Sequence, residues 1–266
     1  MGRSVVRIVR HWVANRGWLG LFAEVFRQLK KKVRSLAGRR KGLPAPSAVK
    51  RLEVHPFDTR YGVDTGGLIW GPSLGSGTKG EYWATGYYGI SPSFFQQALD
   101  RLGLDWPKYT FVDVGCGKGR ALLLATRYPF RRIVGVELSP GLAQVANSNL
   151  ERFQAEWRKD VPAAAFAGDA THFDLPDGPL LVYLYHPFAA PIMREFLKNL
   201  HASVQRSPRE VYLMYINPEL DKLLGKTPFL EKLSRECLPM AEEDIAADRF
   251  GSKEEYVSVY RYRSPG

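Results

Sequence analysis

The spacing of apolar positions changes several times along the chain, and each change marks a different kind of element. From Trp18 to Leu36 they recur at Trp18, Phe22, Val25, Phe26, Leu29, Val33 and Leu36, the spacing of one helix face, with Arg27, Lys30, Lys31 and Arg34 on the other side. A shorter segment, Val5 to Val13, precedes it, and Asn15, Arg16 and Gly17 punctuate the two, which predicts a kinked helix or a helical hairpin. Residues 38–50 break the period with Gly, Pro and Ser and read as a linker. Between Tyr61 and Ile90 no period survives, because nine of the 30 residues are glycine, interleaved with Trp70, Tyr82, Trp83, Tyr87 and Tyr88. Glycine inside a helix costs about 1 kcal/mol relative to alanine, so this stretch is predicted to be loop. Its aromatic density favours an ordered, functional loop over a plain surface loop with a few anchoring rings.

Ser91 as a cap and Pro92 at the first position open a predicted helix through Phe94, Phe95, Ala98, Leu99 and Leu102. Beyond it, short β-type runs alternate with helical stretches. The strands are Tyr109 to Val114, Arg132 to Val136, Pro179 to Phe188, Arg209 to Asn217, Phe229 to Cys237 and the alternating, half-exposed Glu255 to Tyr262. Helical spacing falls at Ala121, Leu122, Leu124 and Ala125 and again over Ile192 to Leu200. Strands alternating with helices predict an α/β fold on a mostly parallel sheet.

Composition narrows the class. The 266 residues are 45% apolar and 24% charged, as in ordinary globular proteins, which argues against collagen-like, disordered or polytopic membrane chains. Two cysteines, Cys116 and Cys237, are too few for a disulfide scaffold or a four-cysteine zinc site, so a reducing, cytoplasmic setting is the expectation. The net charge of +11 suggests a nucleic-acid binder until it is located. Residues 1–50 hold 13 Lys and Arg against the single acid Glu24, leaving 25 basic and 26 acidic residues for the rest. The positive charge therefore belongs to the N-terminal arm, and the body is neutral. Arg7 and Arg10 interrupt the apolar run a secretory signal needs, and no apolar stretch reaches the ~18 residues of a membrane span. Trp and Phe on one face with Lys and Arg on the other suit packing on the protein itself, an anionic membrane surface, or an acidic partner, engaged through residues 1–41.

The candidate chemistry sits where the first strand turns into a helix, in DVGCGKGRALLLATRY. Gly115, Gly117 and Gly119 permit positive φ and close backbone approach to a ligand. The dinucleotide fingerprint G-x-G-x-x-G fails, since Arg120 stands at its third glycine. What remains is G-x-G-x-G with Asp113 two residues ahead and Glu137 at the tip of the next strand, where an acid can accept both ribose hydroxyls.

These residues, FVDVGCGKGR through IVGVELSPGLAQVANSNL, resemble the first two motifs of the class I S-adenosylmethionine-dependent methyltransferases. The resemblance implies a three-layer, Rossmann-like sheet of seven mostly parallel strands with an antiparallel last strand, preceded here by a basic helical arm. It implies S-adenosyl-L-methionine as cofactor, held by Asp113, Gly115, Gly117 and Gly119 at its methionine part, by Glu137 at the ribose and by Asp169 of AGDA at the adenine, with Ala170 lining the adenine pocket. In that family the end of the fourth strand faces the transferred methyl group; here it reads Tyr185, His186, Pro187, Phe188, with His where amino-methylating members often carry Asn or Asp. His186 is thereby a candidate general base or, equally, a structural hydrogen bonder.

The segment 82–95, YWATGYYGISPSFF, is similar to an element of the non-SET histone lysine methyltransferases, though it lacks their acid after the glycine. That similarity implies that Tyr87, Tyr88 and Ser91 cover the cofactor and line the acceptor channel. The domain reading is an arm and linker over 1–50, a lid and lead-in helix over 51–108, and a methyltransferase domain over 109–266, whose methyl acceptor, protein side chain or small molecule, the sequence leaves unidentified. The competing reading is a non-catalytic Rossmann-like module recruited to a membrane or partner by its arm; the neutral body and the missing Asn disfavour a nucleic-acid substrate.

Overall fold

The computed structural model describes residues 54–248 and 252–263. The described residues belong to one compact unit over 53–266. The helices expected in the basic arm lie outside the described residues.

Seven strands form one sheet in the order β5-β4-β3-β6-β7-β9-β8. They are β3 (Thr110–Val114), β4 (Arg132–Glu137), β5 (Ala163–Ala167), β6 (Leu180–Tyr185), β7 (Val211–Ile216), β8 (Leu230–Pro239) and β9 (Glu254–Tyr262). Neighbours are parallel from β5 to β7, and β9 runs antiparallel to both β7 and β8. The expected seven-stranded, mostly parallel, Rossmann-like sheet with an antiparallel last strand is thus present. Strands such as Thr110–Val114, buried at every position, belong to a sheet covered on both faces. Alternation along each strand feeds two cores. Phe111, Ile133, Tyr183 and Met214 face one, and Val112, Val134, Leu184 and Leu213 face the other.

Helices supply the outer layers. α2 (Pro92–Asp100), α3 (Arg120–Ala125) and α4 (Pro140–Arg152) cover the first face, and α5 (Ala190–Arg206) the second. α1 (Pro56–Tyr61) opens the described body, while two short helices, α6 (Asp221–Leu224) and α7 (Glu242–Ala247), lie beside the last strands. Ser91 and Ser139 cap α2 and α4, each followed by proline at the first helical position, as the sequence signals for α2.

The glycine-rich stretch departs from the loop expectation. β1 (Leu68–Trp70) and β2 (Gly86–Tyr88) pair antiparallel, and residues 79–83 make a 3₁₀ turn between them. Each strand is three residues long, and the glycines on either side make the reversals, so no periodic signal survives in the sequence.

Candidate functional site

A cleft enclosing about 950 Å³, part of it open to solvent, lies over the C-terminal ends of β3, β4, β5 and β6. In an open sheet the natural ligand crevice is where strand order reverses, here between β3 and β6. Its walls bring together Asp113, Gly115, Gly117, Glu137, Asp169, Ala170, Tyr87, Tyr88, Tyr185 and Phe188, all expected from the sequence.

Gly115 and Gly117 have φ of 79° and 53°, a region open to glycine. A side chain on Gly117 would overlap the Tyr87 ring, and one on Gly115 would come within 2.7 Å of Pro187 Cβ. The glycines therefore let Tyr87 and Pro187 close directly over the turn. Gly119 does not line the cleft; it starts α3 at φ 84° and packs against Ala146.

The amides of the turn are already engaged. Gly115 and Cys116 N–H donate to the Val136 carbonyl, Gly119 N–H to the Cys116 carbonyl, and Gly117 N–H to Glu137 Oε2 at 2.8 Å. A pyrophosphate would have to displace those bonds to use the same four donors. Ser139 N–H donates to the other Glu137 oxygen at 2.9 Å. Burial pushes the Glu137 carboxyl upward against these backbone hydrogen bonds. Each carboxylate oxygen keeps a further lone pair for a ligand hydroxyl.

Asp113 is 3% exposed and, among the described residues, accepts no hydrogen bond from the protein. Burial and the nearby Glu137 carboxylate hold it well above the usual carboxylate range. A buried carboxylate facing a cleft is satisfied by a cationic or donor-bearing ligand. Asp169 is more open, and its Oδ1 accepts from Thr171 N–H at 2.9 Å and Thr171 Oγ1 at 2.7 Å.

Three segments hold the cleft's roof. Tyr87 O–H donates to the Thr65 carbonyl at 2.5 Å. Arg120, buried at the head of α3, donates to Thr65 Oγ1 at 2.7 Å, the Thr65 carbonyl at 2.9 Å and the Ile90 carbonyl at 3.3 Å, and pairs with Asp58. The loop after β6 joins the same roof, Thr85 N–H donating to the Pro187 carbonyl and Ala189 N–H to the Trp83 carbonyl. Ser91 is a helix cap whose hydroxyl also donates to Asp244 at 2.6 Å; it does not line the cleft.

His186 is brought elsewhere. Side chains on a strand alternate in facing, so Tyr183 and Tyr185 look into the cleft while Leu184 looks to the opposite core, and His186, the first residue after β6, meets Tyr215 of β7 outside the cleft lining. The imidazole is 4% exposed, stacks on Tyr215 and hydrogen-bonds through Nδ1 to the Tyr215 hydroxyl at 2.7 Å. Its backbone, at φ 38°, makes the turn out of β6. Of the two roles expected for His186, this geometry matches the structural hydrogen bonder and leaves the imidazole off the cleft lining.

Tyr183 and Glu255 were missed. The Tyr185 hydroxyl donates to Glu255 Oε1 at 2.6 Å, and burial pushes the Glu255 carboxyl up to about 7. Alternation back from Tyr185 would have found Tyr183; Glu255, 70 residues beyond Tyr185, carries no local signal.

Residues 111–206 match the methyltransferase domain family. A ribosomal protein L11 methyltransferase of Alteromonas mediterranea is 34% identical over 83 residues, 30% of this chain and 28% of that protein. A trans-aconitate 2-methyltransferase of Methylobacterium radiotolerans is 24% identical over 177 residues, 63% of this chain and 66% of that one. The chain thus spans little more than a quarter of the L11 methyltransferase it matches. A magnesium protoporphyrin IX methyltransferase from Synechocystis PCC 6803, solved with bound SAM, has a TM-score of 0.43 at 13% identity over 64% of this chain and 76% of that one.

Proposed function

We propose that the protein is a class I methyltransferase using S-adenosyl-L-methionine on an acceptor bound beside Tyr88, Tyr185 and Phe188, a reading supported by the match of residues 111–206 to the methyltransferase domain family. The observation that carries the reading is the pair of buried acids at the glycine turn. Asp113 offers an uncompensated carboxylate to a cationic group, and Glu137 at the tip of β4 keeps lone pairs for the ribose hydroxyls. Gly115 and Gly117 give the methionine part its close backbone approach, and Asp169 with Ala170 borders the adenine end.

The cofactor supplies an activated methyl group whose sulfur departs neutral, so alignment does most of the catalytic work. The protein's share is orientation and exclusion of water. Tyr87 closes the turn from above, and the latch from Arg120 to Thr65 and Ile90 keeps that roof in place.

Calorimetric titration of the full chain tests this directly. Micromolar binding of S-adenosylmethionine, no binding of NAD, and loss of the former in Glu137→Ala are expected; NAD binding, or unchanged affinity in the variant, would reject the assignment.

The reading extends to the basic arm, which we assign to an anionic membrane surface or acidic partner, giving a cytoplasmic protein held peripherally. No helix among the described residues is long and apolar enough to cross a membrane. Co-sedimentation with phosphatidylserine vesicles, weakened by salt and absent after removal of residues 1–52, is the expected result.

A further inference from the structure

The end of the cleft beyond Asp113 is built for a particular kind of acceptor. Tyr183 and Tyr185 project from β6 on the same face, Asp113 being the direct neighbour of Tyr183 across the β3–β6 pairing. The Tyr183 hydroxyl is buried at 1% exposure and has no hydrogen-bond partner among the described residues. Behind Tyr185 stands Glu255 of β9, whose Oε1 accepts the Tyr185 proton at 2.6 Å while its buried Oε2 has no partner. Burial first, and then the neighbouring Asp113 and Glu255 carboxyls, hold the Tyr183 hydroxyl well above its ordinary range.

Among the described residues, the cation that lines the cleft pairs with neither of those acids. The cationic side chain lining the cleft is Arg120, and all three of its guanidinium nitrogens are committed to Thr65 and Ile90. With the cofactor's cationic group on Asp113, a carboxylate or phosphate ester brought beside Tyr185 would meet the buried Glu255 and no available cation among the described lining residues, at a cost of several kcal/mol for an uncompensated buried charge. A group with several N–H donors and a positive charge would instead satisfy the orphaned oxygens.

Resting on the methyltransferase reading, we propose that this end of the cleft is the acceptor subsite and that it takes an aliphatic amine, its nitrogen held by the Tyr183 and Tyr185 hydroxyls with the Glu255 carboxylate behind Tyr185 supplying the countercharge. An ammonium must shed one proton before its nitrogen can attack. The N–H bond breaks, the electron pair stays on nitrogen, and the proton passes to the Tyr185 oxygen as the Tyr185 proton moves to Glu255, turning the carboxylate into the acid. Glu255 acts through Tyr185 and is a positioning residue.

The test uses the full chain saturated with S-adenosylmethionine and follows binding of n-butylamine, n-butanol and butyrate by thermal shift and calorimetry. Butylamine is expected to bind at least tenfold more tightly than butanol, with butyrate not binding. Tyr183→Phe, which keeps the ring, should weaken the amine about tenfold. Glu255→Gln should remove the preference for amine over alcohol, a charge selectivity that a purely structural role would not move. Both variants should bind S-adenosylmethionine as wild type does. Nα-acetyl-lysine methylamide and spermidine then separate a protein side chain from a free polyamine as the source of the nitrogen. Butyrate binding as well as butylamine, or amine binding within twofold of wild type in both variants, would overturn the amine assignment while leaving the cofactor reading intact. Failure of S-adenosylmethionine itself to bind would instead strike the methyltransferase reading.

Discussion

At the scale of single residues, facing decides role. His186 and Tyr185 are adjacent in sequence yet serve different surroundings, because β6 ends at Tyr185 and the turn at His186, at φ 38°, brings the imidazole to Tyr215. The imidazole belongs to the Tyr215 hydroxyl, which also receives the Leu220 amide at 3.3 Å. His186→Ala should therefore leave a buried hydroxyl short of a partner and cost about 1–3 kcal/mol of stability. Urea unfolding should register that loss while the affinity for S-adenosylmethionine stays within twofold; a large fall in affinity with unchanged stability would return His186 to the cleft. The glycine-turn wall of the cleft was legible residue by residue, since Asp113, Gly115, Gly117 and Glu137 sit within one strand, its turn and the tip of the next. Their backbone geometry follows from type alone: glycine where φ is positive, acid where a strand ends. The contact behind the opposite wall was not, because Tyr185 meets Glu255 only through the β6-β7-β9 pairing, which no local pattern encodes.

At the scale of elements, strands and helices were legible where they are long and periodic, and six of the seven strands follow the sequence reading to within a few residues at each end, while β5, an alanine-rich run at the sheet's edge, was not read as a strand. The hairpin of β1 and β2 was hidden because three residues are too few to show alternation. What fixes that hairpin is a buried polar latch. Arg120 reaches from the head of α3 to Thr65 and Ile90, and Asp58 accepts from the Thr65 N–H at 2.9 Å and from its hydroxyl. Removing one partner of such a buried pair strands the other's charge, so Arg120→Leu is expected to cost about 3–5 kcal/mol. The same change made together with Asp58→Asn should cost less than the two single losses combined, because the stranded acid is gone. Additive losses in that cycle would mean that the 3.7 Å approach of Arg120 to Asp58 carries no coupling. The latch also ties the roof to the glycine turn, since Tyr87 donates to the same Thr65 carbonyl. Arg120→Leu should consequently weaken cofactor binding although Arg120 is not assigned to touch the cofactor.

At the scale of the whole molecule, charge is partitioned: the excess of Lys and Arg is in residues 1–50, while buried acids gather at one cleft of a nearly neutral body. Three of them, Asp113, Glu137 and Glu255, are held above their ordinary range, burial being the first cause in each case. A carboxyl whose folded pKa is raised binds its proton more tightly when folded than when unfolded. Its contribution to stability is therefore present at low pH and lost as pH rises from about 4.3, the ordinary glutamate value, through the folded value. For Glu255, raised to about 7 by burial and by Asp248 against its hydrogen bond from Tyr185, the loss falls between about pH 4.5 and 7. His55 runs the other way, lowered to about 4 by burial and Arg120, so part of the trend is cancelled below about pH 6.5 in the wild type. The difference between Glu255→Gln and wild type removes His55 from the comparison. Relative to wild type, the variant should gain stability on going from pH 5 to pH 8, by up to about 3 kcal/mol, read from urea midpoints at the two pH values. A flat difference would mean that Glu255 is as ionised in the folded chain as in the unfolded one, and its place as the proton acceptor behind Tyr185 would lose its physical basis.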